Sequence, residues 1–191
     1  MDPEPDRRLL AAWLRDAHRL DATLYAAIAR TSTPALDRAM ARLSHAADYS
    51  RLSLASATFL ALGRGRSGRR AAAYGLAAVG VTACLINLAA KPLGGRERPD
   101  RAGERVPLAR HVRMPRSTSF PSGHTAAAFA FATGAGHVLP SAGVPLRALA
   151  ALVGYSRVHT GVHYPGDVVA GALIGTALAQ ATMRALDRVT V

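Results

Sequence analysis

Long uncharged apolar runs, separated by short charged segments, occupy most of the chain after its first third. The three longest runs cover residues 71–90, 117–146 and 168–183, and none contains Asp, Glu, Lys or Arg. As a helix, the first run extends about 30 Å, the thickness of the hydrocarbon core of a bilayer. The pattern therefore predicts membrane-spanning helices, although the buried helices of a soluble protein could also contain such runs.

Prolines divide the middle run into two helices. Because Pro140 and Pro145 interrupt it, we expect one helix near residues 122–138 and the start of another, which continues as a short apolar helix over 146–155.

Glycines are informative before the first run and within the last one. Residues 63–70 are rich in Gly and Arg and predict a break before the first run. The last run, 168–183, predicts a final helix in which Gly171 and Gly175 have the spacing of close helix packing.

The amino-terminal part of the chain has a different pattern. Apolar positions recur at helical spacing over residues 6–30, but the charged residues between them are too numerous for a bilayer-crossing helix. We expect an amphipathic helix that lies at the membrane interface or packs on the bundle. Thr33 and Pro34 are typical of a helix start. The uncharged stretch 52–62 could complete a membrane span that begins near Ala46, and the sequence leaves open whether it does.

The predicted fold is all-α, because no strand-like alternation is present. We expect a membrane-embedded antiparallel helix bundle of about five to six core helices with an amphipathic N-terminal helix. The predicted organisation is 1–50 for the N-terminal helices and 51–191 for the bundle core. The first six residues are acidic and contain two prolines, unlike a signal peptide.

Charge narrows the classes of partner. The 191 residues carry 24 basic and 12 acidic side chains, a formal net charge of +12. Such an excess suits nucleic acid, anionic lipid or a phosphorylated substrate. Nucleic acid is disfavoured because the basic residues are not interleaved with aromatic ones and the centre of the chain is apolar. We therefore expect a membrane protein that does not bind nucleic acid.

A single lysine stands among these basic residues. Lys91 directly follows the first apolar run, and the other 23 basic residues are arginine. Cys84 is the only cysteine, so no internal disulfide is possible.

Three polar clusters lie at the predicted helix ends, at residues 91–99, 120–124 and 156–167. In an up-and-down bundle, the first helix ends, the second begins, and the third delivers its cluster at the same end of the molecule. Connectivity alone therefore predicts that the three clusters share one pocket.

These clusters contain the residue types of a phosphate site. Lys91, Arg98 and Arg157 can neutralise the charge that a phosphoryl group spreads over its oxygens during transfer. Ser122 and Gly123, at a helix start, can add a hydroxyl and backbone amides where the helix dipole favours an anion.

Three further residues complete a predicted reaction centre. His163 is the expected nucleophile, and Asp167 is expected to hold its ring and offset the charge gained on attack. His124 is left as the general acid for the leaving oxygen and later as the base for water.

Order and spacing of these motifs resemble the type 2 phosphatidic acid phosphatase family, which shares its core with vanadium haloperoxidases and bacterial acid phosphatases. The resembling positions are a lysine separated by six residues from Arg-Pro, then Pro-Ser-Gly-His, then Ser-Arg, five residues, His, three residues and Asp. The resemblance covers roughly residues 71–183. It implies the same roles for the eight residues, a phosphohistidine intermediate, and neither a metal nor a cofactor.

Other residues receive simpler interpretations. His159 and His163 do not form a metal pair, because Gly161 and Pro165 disfavour a helix there and no further ligand has suitable spacing. His159 is expected to lie in the pocket wall or a loop. A larger set of arginines around the site is interpreted as a solvated face, of which one or two could meet a second phosphate or lipid headgroups: Arg96, Arg101, Arg105, Arg110, Arg113 and Arg116.

The hypothesis is an integral membrane phosphatase that acts on a phosphomonoester or diphosphate of a lipid, of phosphatidic acid, phosphatidylglycerophosphate or polyprenyl diphosphate type, with broad specificity. The alternatives are a soluble acid phosphatase or vanadium-dependent haloperoxidase on the same core, and a catalytically silent membrane scaffold. We expect a multi-pass protein of the cell membrane. Loop charges do not decide its orientation, but similarity to bacterial family members suggests a pocket on the extracytoplasmic side. The sequence leaves the oligomeric state open.

Overall fold

The computed structural model describes residues 4–189, and these contain helices and turns but no β-strand. The all-α prediction is confirmed. The acidic N-terminal stretch lies partly outside the described residues.

Eight α-helices follow one another along this part of the chain: α1 (Glu4–Arg30), α2 (Pro34–Ala46), α3 (Arg51–Gly63), α4 (Gly65–Leu85), α5 (Lys91–Gly94), α6 (Gly123–Val138), α7 (Pro140–His159) and α8 (Pro165–Val189). A π-helical turn, Ile86–Ala90, joins α4 to the single turn of α5. The long apolar helix therefore continues without a break to Lys91.

Helix α6 lies at the centre of the bundle and packs against α4, α7 and α8. Gly123 of α6 lies near Lys91, and Gly134 lies near Tyr74, so α4 and α6 run antiparallel. The alanine-rich core between these helices includes Ala78, Ala126 and Ala130. Small side chains let the helices approach closely, which accounts for the low aromatic content of the chain.

Two glycines of α8 make its contact with α6 possible. A Cβ built on Gly171 would lie 2.5 Å from the carbonyl oxygen of Ser122, and one on Gly175 would press into the carbonyl of Ala126. The predicted packing role of both glycines is confirmed. Ser122 meets Gly171 and Ala126 meets Gly175, so residue numbers increase in the same direction along both helices. Helices α6 and α8 therefore run parallel, as an up-and-down connection through α7 requires.

Residues 46–62 do not form one continuous helix, so no single helical span begins near Ala46. Helix α2 ends at Ala46, and a 3-10 turn follows at Asp48–Ser50. Tyr49 and Ser50 have φ values of 54° and 57°, in the left-handed region that interrupts a helix, and α3 begins only at Arg51.

Two other boundaries differ from the prediction. Helix α7 begins at Pro140, because proline is tolerated in a first helical turn, and it includes Pro145. The predicted Gly- and Arg-rich break is confined to Arg64, after which α4 begins at once.

Arg110 is fully buried, so it does not belong to the solvated face predicted for the arginines. Its Nε donates to Oδ1 of Asp37 at 2.7 Å, and its other nitrogens donate to carbonyls at the C-terminal end of α1, including those of Ile28 and Thr31. Asp37 also pairs with His159, whose Nε2 lies 2.9 Å from Oδ1. The end of α1 leaves carbonyls without helical partners, and Arg110 satisfies them.

Two helical segments among the described residues are long and apolar enough to cross a membrane by length and composition, Gly65–Leu93 and Pro165–Val189. Large apolar side chains remain exposed along both, including Leu88 and Leu173.

Candidate active site

A cavity of about 250 Å³ opens at the end of the bundle where α5 ends and α6 begins. Five of the eight predicted site residues line it: Lys91, Arg98, Gly123, His124 and His163. Ser122, Arg157 and Asp167 are buried behind its wall. The structure thus brings the three sequence clusters to one end of the molecule.

His163 lies in the turn between α7 and α8 and is 1% exposed. Its Nε2 is 3.3 Å from Nη1 of Arg98, and its Nδ1 is 3.5 Å from Oδ2 of Asp167. Because a guanidinium can only donate, Nε2 carries the lone pair and Nδ1 the proton. Burial, opposed in part by the hydrogen bond to Asp167, lowers the pKa of His163 to about 3. The ring is therefore a neutral imidazole with a free nitrogen toward Arg98.

Asp167 is fully buried in the first turn of α8 and is bound from three sides. Its Oδ2 accepts from the Ser119 hydroxyl at 2.5 Å and from the backbone amide of Tyr164 at 2.9 Å. Its Oδ1 accepts from Arg96 at 2.9 Å. These donors fix the carboxylate behind the His163 ring.

Arg96 corrects a second part of the predicted solvated face. Its guanidinium bridges Asp167 and Asp21 of α1, the latter at 2.7 Å, and lies over the Tyr164 ring at 4.1 Å from the centroid. Asp21 in turn accepts from the backbone amide of Gly166 at 2.7 Å. Helix α1 is therefore connected to the residue that holds His163.

Lys91 and Arg98 are held by the segment that precedes the Pro-Ser-Gly-His motif. Lys91 Nζ donates to the Ser117 hydroxyl at 2.8 Å and to the Thr118 carbonyl at 3.2 Å. Arg98 donates to the Ser117 carbonyl at 2.9 Å and to the Val162 carbonyl at 2.6 Å. Sequence reasoning missed Ser117, Thr118 and Ser119, although three consecutive hydroxyl residues beside a phosphate motif were a usable signal.

The start of α6 has a more specific geometry than the sequence implied. The Ser122 hydroxyl lies 2.9 Å from that of Thr125, and its backbone amide donates to the Asp167 carbonyl at 2.9 Å. Ser122 thus lies inside the protein, whereas Gly123 faces the cavity. A Cβ on Gly123 would lie in ordinary van der Waals contact with Cε of Lys91, at 3.7 Å.

The Arg157 side chain is bound by Ser44 of α2 and lies near Asp48 in the turn after it, a segment without a recognised motif. Its Nη1 donates to the hydroxyl of Ser44 at 2.6 Å and lies 3.7 Å from Oδ1 of Asp48. The Nε atom is buried and has no hydrogen-bond partner among residues 4–189.

His124 also has a partner from the N-terminal segment. Its Nε2 lies 3.0 Å from Oδ1 of Asp48. Sequence reasoning missed Asp48, because it lies far from the three motifs and no local pattern distinguishes it from other aspartates. The predicted boundary at residue 50 stays a prediction, but Ser44 and Asp48 both contact side chains of the predicted core.

No metal set accompanies these groups. Within residues 4–189, no three His, Cys, Asp or Glu side chains are arranged to hold a metal ion. The positive charge of the cavity comes from side chains.

One end of the helical bundle gathers two histidines, a lysine and arginines, which are groups suited to a phosphate-binding protein. Comparison with known proteins identifies the family. The sequence model of the PAP2 superfamily matches residues 70–190. The chain therefore belongs to the PAP2 superfamily, and the resemblance inferred from its motifs is confirmed.

Named relatives are phosphatases. The chain is 34% identical over 108 residues to lipid A 1-phosphatase of Rhizobium etli, which covers 54% of this chain and 45% of that protein. It is 40% identical over 89 residues to decaprenylphosphoryl-5-phosphoribose phosphatase of Mycobacterium tuberculosis, covering 44% and 45%. The chain thus spans about half the length of the curated relatives it matches.

A solved structure has the same fold over nearly the whole chain. It is the first transmembrane PAP2 type phosphatidylglycerolphosphate phosphatase from Bacillus subtilis, with a TM-score of 0.70, 24% identity, and coverage of 94% of this chain and 92% of that one. The predicted helical-bundle architecture is confirmed.

Proposed function

We propose that the protein is an integral membrane lipid phosphate phosphatase that works through a phosphohistidine intermediate. The observation that carries the proposal is the neutral, buried His163 ring, whose Nε2 lies 3.3 Å from Arg98 in a cavity also lined by Lys91 and His124. A nucleophile, cations and a second imidazole are the parts that phosphoryl transfer requires.

The phosphate binds between the cationic side chains. Lys91 and Arg98 line the cavity and face its charged end, and Arg157 supports them from behind with an unpartnered donor. Preorganised cations of this kind stabilise the charge of the transition state and replace the magnesium ion of other phosphoryl-transfer enzymes. The backbone of Gly123 at the start of α6 adds a favourable helix dipole.

In the first step, the lone pair of His163 Nε2 forms a bond to phosphorus. The bond between phosphorus and the leaving oxygen breaks, and that oxygen takes a proton from His124. The products are the dephosphorylated lipid, or its lower phosphate, and a phosphohistidine. Asp167 stabilises the positive charge that the His163 ring gains.

In the second step, water attacks the phosphorus and gives a proton to His124. The bond from nitrogen to phosphorus breaks, and its electron pair returns to Nε2 of His163. Inorganic phosphate leaves, and both imidazoles recover their starting protonation states.

The cavity favours an amphiphilic phosphate. Away from its cations, the wall consists of small and branched apolar side chains, Ala83, Ile86, Ala127 and Val153 among them. The named relatives act on lipid A and on a decaprenyl phosphate derivative. Phosphatidic acid, phosphatidylglycerophosphate and polyprenyl diphosphates all fit this description, and we expect broad specificity among them.

Exposed apolar side chains support a multi-pass membrane location. Leu88 is 76% exposed and Leu173 is 67% exposed, on the two segments that are long enough to cross a bilayer. Water would disfavour such a surface, whereas lipid would cover it. We place the cavity on the extracytoplasmic side, and labelling of a cysteine introduced at the exposed Arg105 in intact cells tests this orientation.

The deciding experiment is phosphate release from a panel of lipid phosphates and diphosphates in detergent, with a chelator present. We expect release without added metal, its loss in His163→Ala, and its retention in the control His137→Ala, at the far end of α6. Strict dependence on a divalent ion would contradict the mechanism. Activity of the His163→Ala variant would exclude His163 as the nucleophile. Protein that stays in the aqueous fraction without detergent would favour the soluble phosphatase or haloperoxidase.

A further inference from the structure

Asp48 contacts the cavity residue His124 from a turn with unusual backbone geometry. It begins the 3-10 turn Asp48–Ser50 between α2 and α3, where Tyr49 and Ser50 both have positive φ. Its neighbours in the chain, Ala47, Tyr49 and Ser50, line the cavity. Left-handed conformations at such residues are strained, and they persist where surrounding structure imposes them.

The Asp48 carboxylate is surrounded by basic groups from three helices. Its Oδ1 lies 3.0 Å from Nε2 of His124 on α6 and 3.7 Å from Nη1 of Arg157 on α7. Its Oδ2 lies 3.5 Å from Nδ1 of His45 on α2. The side chain is 31% exposed, so it is partly shielded from water by these neighbours.

His124 needs this negative charge to act as an acid. Burial is the main factor that opposes protonation of His124, and the cations Arg157 and Lys91 oppose it further. Only the protonated ring can give a proton to a leaving oxygen. A carboxylate at hydrogen-bond distance favours the charged form of a histidine and fixes the orientation of its ring.

We propose that Asp48 is the positioning residue of the general acid: it orients the His124 ring and favours its protonated form. The inference rests on the proposed function. Because Nε2 faces Asp48, Nδ1 is the nitrogen that delivers the proton. Asp48 acts on His124 as Asp167 acts on His163, so each imidazole of the site has its own carboxylate.

The test compares two leaving groups in Asp48→Asn. An alkyl phosphate such as phosphatidic acid needs a proton on its leaving oxygen, whereas nitrophenolate leaves p-nitrophenyl phosphate without one. kcat/KM reports the steps up to departure of the leaving group. We expect a fall of about 10²-fold with phosphatidic acid, little change with p-nitrophenyl phosphate, and recovery in part in Asp48→Glu.

The matched control is Asp16→Asn, which removes the same charge from an exposed pair with Arg19 on α1. It should behave as wild type with both substrates. The basic limb of the pH profile with phosphatidic acid should move to lower pH in Asp48→Asn and stay in place in Asp16→Asn. An equal loss with both substrates, or no loss with either, would overturn the proposal.

A double variant tests whether Asp48 acts through His124. If it does, adding Asp48→Asn to His124→Ala should lower kcat/KM for phosphatidic acid no further. A further fall as large as in the wild-type background would exclude action through His124.

A measurement without turnover separates this inference from the proposed function. An NMR titration of the His124 ring should show half-protonation at a lower pH in Asp48→Asn than in wild type. An unchanged titration overturns the role of Asp48 even in an active phosphatase. Absence of phosphatase activity from the wild-type protein would instead overturn the proposed function.

Discussion

Arg96 and Asp167 form an ion pair of 2.9 Å directly behind the His163 ring, and Arg96 also holds Asp21 of α1 at 2.7 Å. The N-terminal amphipathic helix is thus joined to the proposed catalytic cluster through the Arg96 guanidinium, in addition to the contact of Asp21 with the Gly166 amide. An arginine suits this position because its planar fork can bind two carboxylates while its face lies on the Tyr164 ring.

The Arg96 bridge predicts a loss of activity without loss of the fold. Arg96→Ala should lower kcat/KM for a lipid phosphate by about 10²-fold, because small displacements of a catalytic ring have effects of this size. Arg96→Lys should recover little, since an ammonium cannot bind both carboxylates in this way. Arg113→Ala, in an exposed position of the same loop, is the control. Equal activity of the Arg96 and Arg113 variants would contradict the prediction.

The low pKa of His163 predicts a pH dependence of stability. Its folded-state pKa of about 3 lies below the ordinary value of 6.5, so between these pH values the unfolded chain binds a proton that the folded protein does not. The free energy of unfolding should therefore fall as pH decreases from 6.5 to about 3, by an amount on the order of a few kcal/mol from this residue.

Thermal unfolding in detergent as a function of pH measures this effect. His163→Gln should show a smaller decrease in unfolding temperature over the same interval, whereas His137→Gln, at an exposed position, should keep the wild-type slope. Equal slopes in wild type and His163→Gln would show that His163 does not titrate as described.

The close contact between α6 and α8 predicts that alanine at Gly175 destabilises the protein. Alanine at Gly80 of α4, which lies outside this contact, should not. Gly175→Ala should destabilise the protein by about 1–3 kcal/mol, because the new methyl group meets the Ala126 carbonyl. Gly80→Ala has open space around it and should be neutral or stabilising by up to about 1 kcal/mol, since alanine favours helix. Unfolding midpoints of the two variants provide the comparison, and a destabilised Gly80→Ala with an unchanged Gly175→Ala would refute the packing argument.

The buried pair of Arg110 and Asp37 predicts a large loss of stability. Arg110→Met leaves the Asp37 carboxylate without its main cation and the end of α1 without donors, so we expect a loss of about 3–5 kcal/mol. Adding Asp37→Asn should recover part of it, because a neutral amide is less costly to bury. Unfolding of the single and double variants tests this coupling. A double variant that loses more unfolding free energy than the two single variants lose in sum would count against it.

Much of the fold could be predicted because helix period, helix length and charge point to the same architecture. The convergence of Lys91, His124 and His163 followed from connectivity alone, and helix starts such as Pro34 and Gly123 lie within a residue of the prediction. The α2–α3 turn could not be predicted, since Tyr49 and Ser50 adopt a left-handed backbone that their residue types disfavour.

The residues that support the site could not be predicted from local sequence patterns. Arg96 and Arg110 resemble other surface arginines in sequence, and only tertiary structure shows that Asp167 and Asp37 face them. Ser44 and Asp48 likewise gain their meaning from contacts with residues more than 70 positions away. Motifs can identify the groups that meet a phosphate, but the charges that orient those groups come from elsewhere in the chain.

The carboxylate beside His124 lies upstream of the region that defines the family, which starts at residue 70. If Asp48 acts as proposed, mutation of this upstream segment alters how readily His124 is protonated while every signature motif stays intact. Members of the superfamily with identical motifs could in this way diverge in the acidity at which they work.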